Sequence, residues 1–159
     1  MKEIARKSGS AIKILEKKLE QELGHTLGKQ ERLRKINWLN SVDSLYTSIL
    51  SWLESLIEKG LVKYEKVNIR KSEKLIGTYN IDNLKLFIGT HKIELLPVGT
   101  YILGGYGRID IKHQIETKHL ILSQWNEWKI LQDKRSVKLS DLTQDSFIEL
   151  INSFINNEN

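Results

Sequence analysis

The chain has 159 residues, a formal net charge of +5 and no cysteine. A chain of this length folds as one domain, or as one domain with a helical extension, and needs no cross-link to hold its core. The lack of cysteine excludes disulfides, thiolate nucleophiles and cysteine-ligated zinc. No apolar run approaches the ~18 residues that a membrane-spanning helix requires. We therefore expect a soluble, cytoplasmic protein with no membrane partner.

The excess of positive charge lies at the start of the chain. Residues 1–35 carry ten basic and five acidic side chains, whereas the other 124 residues carry fifteen of each. Four of the basic residues form a compact cluster, namely Lys29, Arg32, Arg34 and Lys35. Such clusters gain affinity for phosphates through counterion release, which predicts a nucleic-acid contact. The alternative is an ordinary charged helix surface, because glutamates are interspersed among these residues.

The first 60 residues predict two helices. Ser10 caps the first, which covers residues 10–23, and a turn with two glycines follows at residues 24–28. The second helix covers residues 29–59 and stops at Gly60. Its apolar residues recur at spacings of three and four, at Leu39, Val42, Tyr46, Ile49, Leu53 and Leu56. This stripe and its flanks cover more than half of the helix, so at least two neighbours must pack on it.

The other side of the second helix is rich in small hydroxyl residues and carries no charge between Asp43 and Glu54. A solvated helix face normally carries Lys and Glu, whereas an uncharged face of small side chains permits close approach of another surface. One interpretation is burial beneath the protein's own β-domain. The other is an interface with a second copy or a protein partner, formed by Ser44, Ser48, Ser51, Trp52 and Ser55.

From residue 61 the pattern changes to short strands. Alternating apolar residues predict a hairpin around a turn at residues 89–92. Further strands are expected at 62–69, 74–79, 101–103, 108–112, 119–122 and 128–131. Their spacing is typical of a small, mostly antiparallel sheet, sandwich or partly open barrel. A helix capped by Thr143 closes the chain at 143–156. The fold class is α+β, with a basic helical part at 1–60 integrated with a β-rich domain at 61–159.

The segment from Gly99 to Ile111 is the most distinctive stretch. Four glycines in nine residues beside Arg108 are able to form a backbone nest for an anion, which predicts ligand contacts from Arg108, Gly105 and Gly107. No P-loop follows, because the pattern continues as a strand instead of GK[ST] and a helix. A tight turn or bulge is the alternative interpretation of these glycines.

Three residues resemble in type the carboxylate and lysine set of metal-dependent nucleases: Asp110, Glu116 and Lys118. In that chemistry two carboxylates hold a divalent metal and a lysine lies beside the attacking water. Only five residues separate the two acids, and the expected helices are missing here. His113, Glu116 and His119 offer a second candidate set for a metal, but no HExxH helix fixes their geometry.

No motif specifies a reaction, so we expect a non-enzymatic interaction protein that assembles through its helices with itself or with a partner, without cofactor or metal. Nucleic-acid binding through the basic N-terminal helices is the alternative. A metal-dependent nuclease is a third hypothesis.

Overall fold

The computed structural model describes residues 2–100, 102, 105–133, 135–136 and 138–156, excepting the side chains of 2–8 and 23–27. Three helices and seven strands follow in chain order: α1 Lys2–Trp52, α2 Glu54–Glu58, β1 Val62–Glu73, β2 Gly77–Ile88, β3 His91–Gly99, β4 Gly107–His113, β5 Glu116–Gln124, β6 Glu127–Asp133, β7 Lys138–Asp141 and α3 Gln144–Asn156. This arrangement confirms the α+β class and the helices at both ends of the fold.

The two predicted N-terminal helices are one, because α1 runs without a break for 51 residues. The expected turn at 24–28 is therefore wrong. Glycine inside a helix costs about 1 kcal/mol relative to alanine but blocks no backbone hydrogen bond, so Gly24 and Gly28 weaken the helix without ending it. The predicted stop at Gly60 is confirmed, since Gly60 has a positive φ of 73° just beyond α2.

The seven strands form one antiparallel sheet in which each strand pairs with the next in sequence, from β1 to β7. One face of the sheet is apolar, as the alternation in β4 illustrates with buried Ile109 and Ile111. The C-terminal half of α1 and the helix α3 supply the other side of this core, through residues such as Ile49, Leu53 and Phe147. The strand expected at 101–103 includes residues outside the described part; Ile102 makes an isolated bridge to Gly105.

The strands β1 and β2 pair along their full length, from Val62 opposite Ile88 to Glu73 opposite Gly77. By contrast, β3 pairs with β2 only as far as Leu84. The remainder, residues 67–73 and 77–83, is a two-stranded extension that we call the β1–β2 ribbon. Its Tyr79 and Ile81 are buried although they are out of step with the buried Leu84 and Leu86. The ribbon therefore turns its opposite face to the core and covers α1 from a second side.

Trp38 of α1 lies where these layers meet. Its indole donates a hydrogen bond of 3.2 Å to Tyr79 of the ribbon, and its ring lies against Gly107 of the sheet and 6.0 Å from the Trp128 ring. The wide apolar stripe on this helix is thus covered from more than one side, as its width predicts.

The helix α3 begins with the predicted cap. Thr143 Oγ1 accepts a hydrogen bond of 3.1 Å from the Ser146 backbone N–H, and Ser146 Oγ accepts one of 2.7 Å from the Thr143 backbone N–H. Two backbone donors at the start of the helix are satisfied in this reciprocal arrangement.

Candidate functional site

The N-terminal half of α1 extends beyond the sheet. Every side chain described from residue 9 to residue 22 is exposed. Three of its apolar residues recur at spacings of three and four and are about half exposed or more: Ile12 at 65%, Leu15 at 56% and Leu19 at 49%. Helix formation in proteins depends on burying an apolar face. A helix whose apolar residues are left in water by its own fold is therefore a candidate for contact with another molecule.

These three residues belong to a longer line along one side of α1. In an ideal helix they share an arc of about 80° with seven residues further along. We call the ten together the uncharged stripe: Ile12, Leu15, Leu19, Gln30, Leu33, Asn37, Ser41, Ser44, Ser48 and Ser51. None of the ten is charged, although α1 carries acidic and basic residues all around them. Sequence reasoning treats the first helix and the serines separately, and the continuity of α1 joins them.

An open cleft of about 540 Å³ borders the middle of the uncharged stripe, lined by Gln30, Glu31, Leu33, Arg34, Asn37, Leu75 and Trp125. We call it the stripe cleft. Leu33 and Leu75 are each 51% exposed. The Trp125 ring lies 4.7 Å from the ring of Tyr106 at a tilt of 45°, and Tyr106 is itself partly exposed. Tryptophan and arginine, which this cleft places side by side, are among the residues that contribute most to binding at protein interfaces.

The turn between β5 and β6 ends the stripe cleft. The Asn126 backbone N–H donates a hydrogen bond of 3.0 Å to Ser41 Oγ, and the Trp128 indole donates one of 3.2 Å to the Ser41 carbonyl. Ser41 is fully buried as a result. One serine of the uncharged side is therefore covered by the protein's own sheet, which fits the intramolecular interpretation at that position.

The five predicted interface residues lie beyond this turn. Ser44, Ser51 and Ser55 are exposed, whereas Ser48 and Trp52 are half-buried. Ser44, Ser48 and Trp52 line a cleft of about 140 Å³ together with Asn126, Trp128 and Leu142. The Trp52 ring also packs at 5.7 Å on Phe147 of α3. Trp52 therefore packs against the hydrophobic core. The exposed serines Ser44, Ser51 and Ser55 remain a predicted contact surface.

A chain of hydrogen bonds fixes α1 under the ribbon and was not anticipated from the sequence. The Tyr79 hydroxyl donates to Glu73 at 2.6 Å, and Glu73 accepts from the Thr100 backbone N–H at 2.8 Å and from the Thr100 hydroxyl at 3.0 Å. Arg34 then donates to the Thr100 carbonyl at 2.5 Å. Half-buried carboxylates require donors, but Glu73 falls between the strands predicted at 62–69 and 74–79, and no pattern in the sequence indicates its burial.

Burial raises the pKa of the Tyr79 phenol above its ordinary value of 10.0, and the hydrogen bond to Glu73 and its negative charge add to the effect. Burial likewise raises the pKa of Tyr46, with a further contribution from the charge of Asp82. The Tyr46 hydroxyl donates to the Asp82 carbonyl at 2.7 Å. Both phenols are thus held protonated as structural donors between α1 and the ribbon.

The four residues of the basic cluster are not used alike. Arg34 and Lys35 donate to carbonyls of their own chain, at Thr100 and Thr78 respectively. Lys29 and Arg32 are exposed, and Arg32 donates locally to the Gly28 carbonyl at 3.3 Å. Arg32 and Arg34 are two residues apart and point about 160° apart around an ideal helix. The compact cluster of the sequence therefore divides, and Arg34 belongs to the wall of the stripe cleft.

The glycines of the distinctive segment make room for their neighbours. A methyl group at Gly107 would overlap the six-membered ring of Trp38, and one at Gly105 would lie 2.9 Å from both Ile121 Cγ2 and the Leu122 carbonyl oxygen. Packing accounts for both residues, so the predicted nest is not required to explain them. Arg108 projects from the face of the sheet opposite to that of the buried Ile109. Its Nε lies 3.1 Å from Asp110 Oδ1 on the same face.

The predicted nuclease set does not come together. Asp110 pairs with His119 and His113 pairs with Glu116 across β4 and β5. Because side chains alternate along a strand, Asp110 lies on one face of the sheet, whereas Glu116 and Lys118 lie on the other. Asp110 Oδ1 instead contacts His119 Nδ1 at 2.6 Å. A shared metal ion would need all its ligands within about 2–2.6 Å, so the predicted set is wrong. Asp110 contacts Arg108 and His119, whereas Glu116 and Lys118 lie on the other face of the sheet.

The same alternation separates His113 from His119. His113 is buried and has its Nε2 3.4 Å from His91 Nδ1, and its ring packs on Phe154 of α3. Among the described residues, no group of three or more His, Cys, Asp or Glu is placed to hold a metal ion.

Comparison with known proteins gives no match to a family model, to a curated protein or to a solved structure. Within the described part of the chain, no helix is both long and apolar enough to cross a membrane.

Proposed function

We propose that this protein is a non-enzymatic interaction protein that acts by helix-mediated assembly. The observation that supports the proposal is the exposure of Ile12, Leu15 and Leu19 on a helix segment that extends beyond the sheet. Exposing such residues costs roughly 25 cal/mol for each Å² of apolar surface left in water. Contact with another helix removes that cost, and the three-and-four spacing suits packing of one helix against another.

The length of α1 supports the same conclusion. The core residues of α1 belong to its second half, whereas the side chains described from residue 9 to residue 22 are all exposed. Uninterrupted helices longer than about 25 residues are typical of coiled coils and related assemblies. A partner helix would bury the apolar residues in the first half of α1, as the ribbon and the sheet bury those in its second half.

The test compares the wild-type chain with the triple variant Ile12→Gln, Leu15→Gln, Leu19→Gln. Glutamine retains helix propensity and removes the apolar contact. We expect the native mass of the wild-type protein in cell extract to exceed that of one chain, and the triple variant to fall to the mass of one chain. Ile14→Gln is the matched control, because Ile14 is 57% exposed on the same segment but lies off the uncharged stripe. Equal native masses for wild type and triple variant would refute the proposal.

Nucleic-acid binding is the second candidate, and the exposure of Lys29 and Arg32 on one side of α1 favours it. A contact of this kind weakens steeply with salt. The double variant Lys29→Glu, Arg32→Glu should then abolish a salt-dependent mobility shift, and a wild-type protein without such a shift removes this candidate.

A further inference from the structure

We infer that the uncharged stripe binds the same stripe of a second copy, with the two α1 helices antiparallel. This inference rests on the proposed function and names its partner. It concerns the part of the stripe between Ile12 and Leu33, which we call the free stripe, because the turn between β5 and β6 covers the helix at Ser41.

The charges beside the free stripe fit a second copy better than a strongly charged partner. Between Ile12 and Leu33 the chain carries five basic and four acidic residues, namely Lys13, Lys17, Lys18, Lys29, Arg32, Glu16, Glu20, Glu22 and Glu31. Interspersed charges of both signs on the flanks of an apolar stripe allow two identical helices to pair without net repulsion. An acidic partner or a phosphate backbone would meet four repulsive and five attractive groups along the free stripe.

The length of the free stripe also suits an antiparallel pair. Its two ends are 21 positions apart, which corresponds to about 32 Å along a helix. A two-fold axis midway between positions 22 and 23 places Ile12 of each copy opposite Leu33 of the other, and Leu15 opposite Gln30. Ile12 and Leu15 at the exposed end of one helix then meet the region where the other helix enters its own fold.

The stripe cleft favours this direction over a parallel one. In a parallel pair, Ile12 would face Ile12, and the helix end that carries Ile12 would lie about 32 Å along the helix axis from the cleft. In the antiparallel pair, the helix end that carries Ile12 lies beside the cleft. The Ile12 side chain is then able to pack against Leu33, Leu75 and Trp125 of the other copy. The same contact occurs twice about the two-fold axis, as a closed dimer requires.

The chain has no cysteine, so introduced single cysteines report on neighbours without interference. We would purify Ile12→Cys and an affinity-tagged Leu33→Cys, mix them, and treat the mixture with a short bis-maleimide. The antiparallel pair predicts a cross-link between the two different variants and none within Ile12→Cys alone. Ile14→Cys mixed with Leu33→Cys is the matched control and should cross-link at least about 10-fold less, since position 14 lies off the stripe.

Sedimentation of the purified protein provides the second measurement. We expect a dimer whose dissociation constant rises about 10-fold or more in Leu15→Gln and does not change in Ile14→Gln. Leu15 is exposed in the single chain, so its replacement leaves the fold intact, which circular dichroism checks. A cross-link within Ile12→Cys alone overturns the antiparallel inference but not assembly. A purified wild-type monomer at all concentrations overturns the second copy as partner, and the native mass in cell extract then decides the proposed function separately.

Discussion

Tyr79 and Glu73 are diagonal neighbours on the two strands of the β1–β2 ribbon, and the phenolic hydroxyl donates a hydrogen bond of 2.6 Å to the carboxylate. Glu73 also accepts two hydrogen bonds from Thr100, which follows β3. One carboxylate thus ties the ribbon to the sheet while α1 lies between them. The Trp38 indole donates to the same phenol, so the helix is tied to the ribbon by the next bond in the chain.

Replacing Glu73 by glutamine should loosen this connection. The amide can accept through its oxygen but its nitrogen cannot accept, so at least one of the three donors from Tyr79 and Thr100 loses its partner. We expect the free energy of unfolding to fall by about 1–2 kcal/mol, as for other part-buried donors left unpaired. Urea denaturation measures the change. The control is Glu65→Gln, an exposed position on the same strand, and an equal loss in both variants would contradict the assigned role of Glu73.

Gly107 should tolerate no side chain, because Trp38 fills the space beside it. The variant Gly107→Ala forces the indole to move within a packed core, which typically costs about 1–3 kcal/mol.

By contrast, a methyl group added at Gly28 in α1 would have no neighbouring atom within 4 Å among the described residues. We therefore expect Gly28→Ala to stabilise the helix by about 0.5–1 kcal/mol. Thermal unfolding of the two variants should shift in opposite directions, and a stable Gly107→Ala protein would refute the packing account.

Several features of the fold were predictable because they depend on local patterns. The strand at 108–112 and the Thr143 cap of α3 involve residues at most four positions apart, and both appear as expected. The continuity of α1 was not predictable in the same way. Glycine lowers helix stability without forbidding a helix, so neither Gly24 nor Gly28 determines the outcome by itself.

The candidate sites depended on longer-range facts. A two-residue turn at Gln114 and Ile115 sets His113 opposite Glu116, and this register alone sends Asp110 and Glu116 to different faces. A turn one residue longer would have reversed the result, since a one-residue slip changes the face of every later side chain. The residues of the uncharged stripe can be read from the sequence, but they form one line only because α1 is continuous where two helices were predicted.

Alkaline pH should unfold the protein through its two buried phenols. Below pH 10 Tyr46 and Tyr79 are protonated in both the folded and the unfolded chain, so the free energy of unfolding does not depend on them. Above pH 10 the unfolded phenols ionise, whereas the raised pKa values keep the folded ones protonated. Stability then falls by about 1.4 kcal/mol per pH unit for each tyrosine.

The measurement is the urea midpoint at pH 8 and at pH 11. Tyr79→Phe should lower the midpoint at pH 8, because Trp38 and Glu73 lose a partner, but it should also reduce the difference between the two pH values. Tyr64→Phe serves as the control, since Tyr64 is 47% exposed, and it should leave the difference unchanged. If Tyr79→Phe retains the full wild-type difference, Tyr79 does not contribute to the alkaline loss.

The Asp110 carboxylate should stabilise the sheet and take no part in metal-dependent cleavage. It lies 2.6 Å from His119 Nδ1 and 3.1 Å from Arg108 Nε, and its side chain is only 15% exposed. Asp110→Asn removes the negative charge between two basic groups, so we expect unfolding to become easier by about 1–3 kcal/mol. Glu116 and Lys118 lie on the opposite face of the sheet, so Glu116→Gln and Lys118→Ala should not reproduce that loss.

The second experiment tests cleavage directly. DNA is incubated with the wild type and the three variants in Mg²⁺ and in Mn²⁺, and we expect no cleavage above buffer in any sample. Cleavage by the wild type that disappears in all three variants while each remains folded by circular dichroism would restore the nuclease hypothesis, because the two acids and the lysine would then act in one site.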